Sequence, residues 1–172
     1  MTQAAEAMPL YFGMVPEDRK EDVIWQLKRL VQDAGCFKAG EVSQPYIIQT
    51  LSAIGMNQQI YDMILKPEHP SYYAFVLAGE TTLGEYWEDN PRSHNHDMLG
   101  HIIEWFYNGI AGIRPLEPGF SKVEIKPFMP EGMNKFECSY KSSRGEIKVI
   151  GKRECGKAVF NIMVPDGVEI VE

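Results

Sequence analysis

The alternation of apolar and polar positions changes period near residue 115. Before that point the spacing is helical; after it the period is two. Thr2 to Val15 carries Ala4, Ala5, Ala7, Met8, Leu10, Tyr11 and Phe12, which suits a buried helix kinked or broken at Pro9. Pro16 opens a second helix, with Glu17 and Asp18 at its positive end. Val23, Ile24, Leu27, Leu30 and Val31 make its inward stripe, and Gly35 is placed to cap it. Pro45 to Ile54 predicts a third helix closed by Gly55, and Asn57 is placed to cap a fourth over Gln58 to Leu65. Pro67 and Pro70 end that run. Ser71 to Ala78 predicts a short buried helix. A loop rich in acids, amides and histidines then spans Thr81 to Asn95, and Asp97 to Ile110 reads as one long helix with Met98, Ile102, Trp105, Phe106 and Ile110 repeating at helical spacing.

From Phe120 the alternation predicts strands over Lys122–Lys126, Lys135–Lys141, Gly145–Gly151 and Ala158–Val164, with Val168–Val171 as a fifth at an edge. Ser142–Gly145 and Glu154–Lys157 have hairpin-turn chemistry. The expected fold class is therefore α+β: a helical part over 1–114, then an antiparallel sheet or half sandwich over 115–172. The broad apolar faces of the helices suit membership of a larger helical array.

Composition narrows the function classes. A hydrophobic fraction of 44% supports a packed core and rules out a disordered chain. The net charge of −7 disfavours nucleic acid, because the densest basic stretch, Arg19–Arg29, is interleaved with acids and reads as a solvated helix face. No apolar run is long enough to span a bilayer, and the N-terminal stretch has no basic region of the kind that begins a signal peptide; the compartment is unassigned. The cysteines Cys36, Cys138 and Cys155 form no disulfide framework, although Cys138 and Cys155 on neighbouring strands leave one pairing open.

The chemistry concentrates between Glu80 and His101. Glu80, Glu85, Glu88 and Asp89 lie close in sequence, Tyr86 and Trp87 flank Glu85, and His94, Asn95 and His96 follow. Carboxylates beside flat aromatic faces suit glycoside hydrolysis, in which one carboxylate acts as acid and the other as base or nucleophile. Each acid singly also fits a solvated loop or a helix cap. His94, His96, Asp97 and His101 admit a metal-hydrolase reading, but no HExxH is present and Asn95 or Asp97 suits a helix cap. No cofactor is expected and no metal site is assigned.

The same stretch carries an ordered set of motifs. Phe37-Lys-Ala-Gly40, Pro45-Tyr46 and Leu51–Gly55 resemble "TGF…TPYLL…L…G"; Pro70-Ser71-Tyr72 resembles "PSW"; Gly79–Trp87 resembles "GATTxWExW". Ser93–Gly100 with Glu104–Tyr107 resembles "SxNHxxxG…EWxY", and Ala111–Ile113 with Pro118–Phe120 resembles "AGI…PGF". Together these are similar to the α-L-rhamnosidases of glycoside hydrolase family 78. The resemblance implies the last helices of an (α/α)6 barrel followed by a small β-domain. It implies that Glu85 is the general base of an inverting reaction and that His96 contacts bound rhamnose, with Trp87 and Tyr72 as rings near the sugar. Tyr72 stands where the family often has Trp, and Gly84 replaces the usual Trp before the base. The family's upstream acidic motif, which supplies the general acid, has no counterpart here. The chain is therefore expected to be a piece of such an enzyme that takes a rhamnose-containing saccharide and is inactive alone. The alternative is a non-catalytic carbohydrate-binding or interaction module, self-associating through an exposed barrel-interior surface.

Overall fold

The computed structural model describes the chain except for Glu41, residues 89–91, Asn95 and Glu172. It divides into two compact units, Met1–Ile102 and Ile103–Glu172. The class is α+β, helices first and strands after.

In the first unit, helix α1 (Gln3–Tyr11) packs against α2 (Glu17–Ala34) and α3 (Gln44–Ala53); α4 (Asn57–Ile64) packs on α3, and α5 (Tyr72–Leu77) follows. Thr2 caps α1 by accepting from the Ala5 N–H at 3.2 Å, and the helix runs through Pro9. The apolar stripe of α2 is inward, with Leu27 and Val31 fully buried, and Gly35 caps it in the left-handed conformation, its N–H on the Val31 carbonyl at 2.8 Å. Its outer face holds ion pairs such as Arg19–Asp22 at 3.3 Å, which contribute little because they are exposed. Two buried polar side chains tie the unit together. Gln3 donates to the Cys36 carbonyl and accepts from the Lys38 N–H, both at 3.0 Å, and Thr50 donates to the Ala7 carbonyl at 3.1 Å. Asn57 does not cap α4: it is the first helical residue, behind Met56.

The expected long helix over Asp97–Ile110 is shorter and changes register. Residues 98–101 form a turn, with the Gly100 N–H on the Asp97 carbonyl at 2.7 Å. Only Ile102–Trp105 (α6) is α-helical, and Phe106–Ile110 is a π-helix closed by the Ala111 N–H on the Phe106 carbonyl at 3.0 Å. The Trp105 indole lies so close over Gly109 that a β-carbon there would sit 2.3 Å from its Nε1.

The second unit holds two three-stranded sheets. One is ordered β1 (Ile113–Pro115), β2 (Lys122–Ile125), β6 (Glu169–Val171); the other is the meander β3 (Lys135–Ser142), β4 (Gly145–Glu154), β5 (Lys157–Met163). The expectation of an all-antiparallel sheet holds for the meander and for β1–β2, but β6 runs parallel to β2, with Val123 opposite Ile170. A parallel partner needs a long crossover, and the whole meander supplies it. Ala111, Ile113, Val123, Ile125, Ile147 and Val149 form the core, backed by Phe120, Phe136, Cys138, Val164 and Val168. Both hairpin turns fall where the sequence put them, with Cys155 and Gly156 at positive φ in the second. The three cysteines are free.

Candidate active site

The loop after α5 is positioned by backbone bonds across itself. Gly79 turns the chain out of α5 at φ 79°, and the Glu80 N–H returns to the Phe75 carbonyl at 3.0 Å. Two arms then face each other: the Glu85 N–H donates to the Ser93 carbonyl at 3.1 Å, and the His96 N–H to the Leu83 carbonyl at 3.2 Å. The Thr82 hydroxyl donates to the His94 carbonyl, and His94 Nδ1 meets Glu80 Oε2 at 3.1 Å. Glu85 and His96 thus sit on opposed arms of one cross-braced loop.

Trp87 anchors that loop to the helices. Its Nε1 donates to the Ala39 carbonyl at 3.1 Å. Its ring lies near-parallel to Phe37 and Phe75, centroids 6.4 and 5.9 Å away, and edge-on to Tyr72 at 5.0 Å. The Tyr72 hydroxyl donates to the Leu99 carbonyl at 2.8 Å. Tyr72 and Trp87 are therefore in contact, each with its polar atom committed to backbone and its ring only partly exposed.

The Glu85 side chain is partly buried and accepts from the Tyr86 phenol, whose pKa it holds above the ordinary value because a phenolate there would face the carboxylate; Arg92 opposes this. Arg92 and Phe75 escape the sequence reading of the site, and Phe37 enters it only as part of a motif, with no role assigned. Phe75 had only the signal of an apolar residue beside a motif position.

Of the other candidates, Glu88 is exposed on the loop, Glu104 belongs to the second unit, and Glu41, Asp89 and Asn95 lie outside the described residues. Among the described residues no three His, Cys, Asp or Glu side chains converge as a metal would require. His101 bonds the Met98 carbonyl through Nδ1 at 3.0 Å, and burial lowers its pKa.

Burial also pushes the Tyr72 phenol well above its ordinary value of 10.0. The fully buried Gln44 amide eases this slightly, close to the hydroxyl yet outside full hydrogen-bond geometry. A phenol whose folded pKa is raised contributes stability that is complete below the unfolded pKa and is lost as pH rises above it. Stability is expected to fall above about pH 10, by up to about 1.4 kcal/mol per pH unit. Tyr72→Phe, which lacks both this ionisation and the Leu99 bond, is expected to melt below wild type near pH 8 and to converge on it as pH rises. Parallel pH dependences in thermal melts would contradict this.

Comparison with known proteins places the chain in a family. Residues 1–110 match the bacterial alpha-L-rhamnosidase 6 hairpin glycosidase domain, and residues 112–171 match the bacterial alpha-L-rhamnosidase C-terminal domain. An α-L-rhamnosidase of Alteromonas sp. (strain LOR) is 30% identical over 159 residues, covering 86% of this chain and 17% of that protein. The structure of the Dictyoglumus thermophilum α-L-rhamnosidase superposes with a TM-score of 0.91 at 29% identity, covering 99% of this chain and 20% of that one. The Streptomyces avermitilis α-L-rhamnosidase complexed with L-rhamnose shares the fold, with a TM-score of 0.91 at 23% identity over 98% of this chain and 18% of that one. The chain spans a fifth or less of the length of these relatives. With a six-hairpin segment and a C-terminal domain matched in sequence and in fold, the chain belongs to the bacterial α-L-rhamnosidase family.

Proposed function

We propose that this chain supplies the general-base side of an inverting α-L-rhamnosidase, releasing terminal α-L-rhamnose from a glycoside. Glu85 takes a proton from water as that water attacks the anomeric carbon. An inverting reaction places the acid on the other face of the sugar, with the carboxyl groups roughly 6.5–9.5 Å apart to admit the water. His96 hydrogen-bonds rhamnose hydroxyls, and the partly exposed edges of Trp87 and Tyr72 border the sugar's apolar face. The observation that carries this reading is the opposed pairing of the loop arms, Glu85 to Ser93 and His96 to Leu83, which gives both residues one rigid support.

The acid comes from outside residues 1–172. The chain alone is therefore expected to show no turnover of an aryl α-L-rhamnoside. A chimera in which residues 1–172 replace the matching stretch of the Alteromonas relative is expected to hydrolyse it, and NMR of the first product is expected to show β-L-rhamnose. Turnover by the isolated chain would overturn the divided site, and α-L-rhamnose as first product would overturn inversion.

A further inference from the structure

We propose that the second unit carries a separate saccharide-binding site that takes one neutral pyranose ring. A solvent-open cavity of about 370 Å³ lies between the π-helix, β1, the turn 118–120 and β3, walled by Tyr107, Phe120 and Tyr140 with Glu104, Asn108 and Arg114 at its polar side. That volume is in the range of small-ligand sites, roughly 300–1,000 Å³.

Two local conformations that cost free energy build it. π-turns are rare and recur at functional sites; this one carries Tyr107 and Asn108 into the wall. Phe120 has φ 59°, a conformation unfavourable for an aromatic residue. Ser143 holds the turn by donating to the Gly119 carbonyl at 3.1 Å. The result is a Phe120 ring stacked on Tyr140, centroids 4.7 Å apart at 27°, with Tyr107 edge-on to Tyr140 at 5.9 Å. A strained turn and a widened helix thus converge on one aromatic wall.

The polar side has the chemistry of hydroxyl recognition. Asn108 Nδ2 donates to Glu104 Oε1 at 3.3 Å, using one of the two amide hydrogens. Arg114 Nε donates to the Asn108 carbonyl at 3.2 Å and Nη1 to Glu124 Oε2 at 3.4 Å, holding the guanidinium against the wall. Donors and acceptors side by side suit adjacent sugar hydroxyls, while the aromatic faces suit the ring's C–H side. Glu124 balances the Arg114 charge and itself pairs with Lys126 at 2.7 Å, which favours a neutral sugar over an anionic one.

The site rests on this geometry alone; only the probe sugar, methyl α-L-rhamnopyranoside, rests on the proposed function. Isotope-labelled chain is titrated with it to about 50 mM while backbone amide shifts are followed. We expect saturable shifts at residues 104–108, 114, 120 and 140, with a Kd in the millimolar range, about −4 kcal/mol. Tyr140→Ala and Asn108→Ala are each expected to weaken binding about tenfold, with the β4 amides reporting that each variant is folded. No saturable shift at these residues, or equal affinity in whichever variants fold, overturns the proposal. Shifts confined to residues 72–99 would support the catalytic loop as a sugar site and overturn this one.

Discussion

Glu85→Gln, introduced into the chimera with the Alteromonas relative, is expected to lower turnover of an aryl α-L-rhamnoside by roughly 10²–10⁴-fold, with a much smaller change in KM. The amide has the shape of the carboxylate but cannot take a proton from water. The loop should survive the change, because Glu85 is held there by its backbone N–H on the Ser93 carbonyl. A second readout separates loss of the base from loss of the loop. The Tyr86 phenol is held high chiefly by its bond to the Glu85 carboxylate, so Glu85→Gln should let it ionise at lower pH while the far-ultraviolet spectrum stays unchanged. Turnover within about threefold of wild type would assign the base to another carboxylate.

Gly112→Ala is expected to destabilise the second unit by about 4 kcal/mol or more. Gly112 sits at φ 71°, and a β-carbon there would lie 2.1 Å from the Lys126 carbonyl carbon and oxygen. The approach is fixed by the Lys126 N–H on the Gly112 carbonyl at 3.0 Å, where β1 and β2 come together. Rigid backbone cannot step aside as a flexible side chain can. Gly167→Ala is the control: it has φ 80° with nothing within 4 Å of the added carbon, so it carries the strain without the collision. Its expected cost is about 1 kcal/mol. Each kcal/mol shifts the melting temperature of a unit this size by roughly 4–8 °C, so thermal melts resolve the two. Equal losses would mean that conformation, and not the contact with Lys126, governs Gly112.

The parts of this structure legible from sequence are those governed by local rules. Leu27 and Val31 read as a buried stripe and are one, and Gly35 reads as a cap and is one. The second hairpin was legible because Gly156, a residue that takes positive φ without strain, sits between two alternating runs; Cys155 beside it takes φ 48° as well. The misread elements depend on distant partners. Of the Asp97–Ile110 repeat, Ile102, Trp105 and Ile110 are buried but Met98 and Phe106 are exposed, and the fit of the Trp105 indole over Gly109 accompanies a change of register that no spacing rule contains. Strand β1 is three residues ending in Pro115, too short to declare itself, and the parallel direction of β6 is set by β2 some 45 residues earlier. At the site, the motifs named Glu85, His96, Trp87 and Tyr72 without geometry. The cross-bracing of the loop and the Ala39 and Leu99 carbonyls that hold the two rings are backbone contacts, and side-chain identity does not encode them.

The pairing of β6 beside β2 also bears on the chain's solubility. An open strand edge is a template on which another molecule's backbone can add itself. On this side the outermost strand is only three residues long, and Glu169, tied to Lys122 at 2.8 Å, places charge at its start. That edge is short and charged, two of the ways proteins discourage edge-to-edge association. One of the meander's two outer strands, β5, has seven residues and leaves Val159, Ile162 and Met163 exposed. Lys157 at its start is the one charged residue of β5, so of these two edges the β5 edge is the more adhesive.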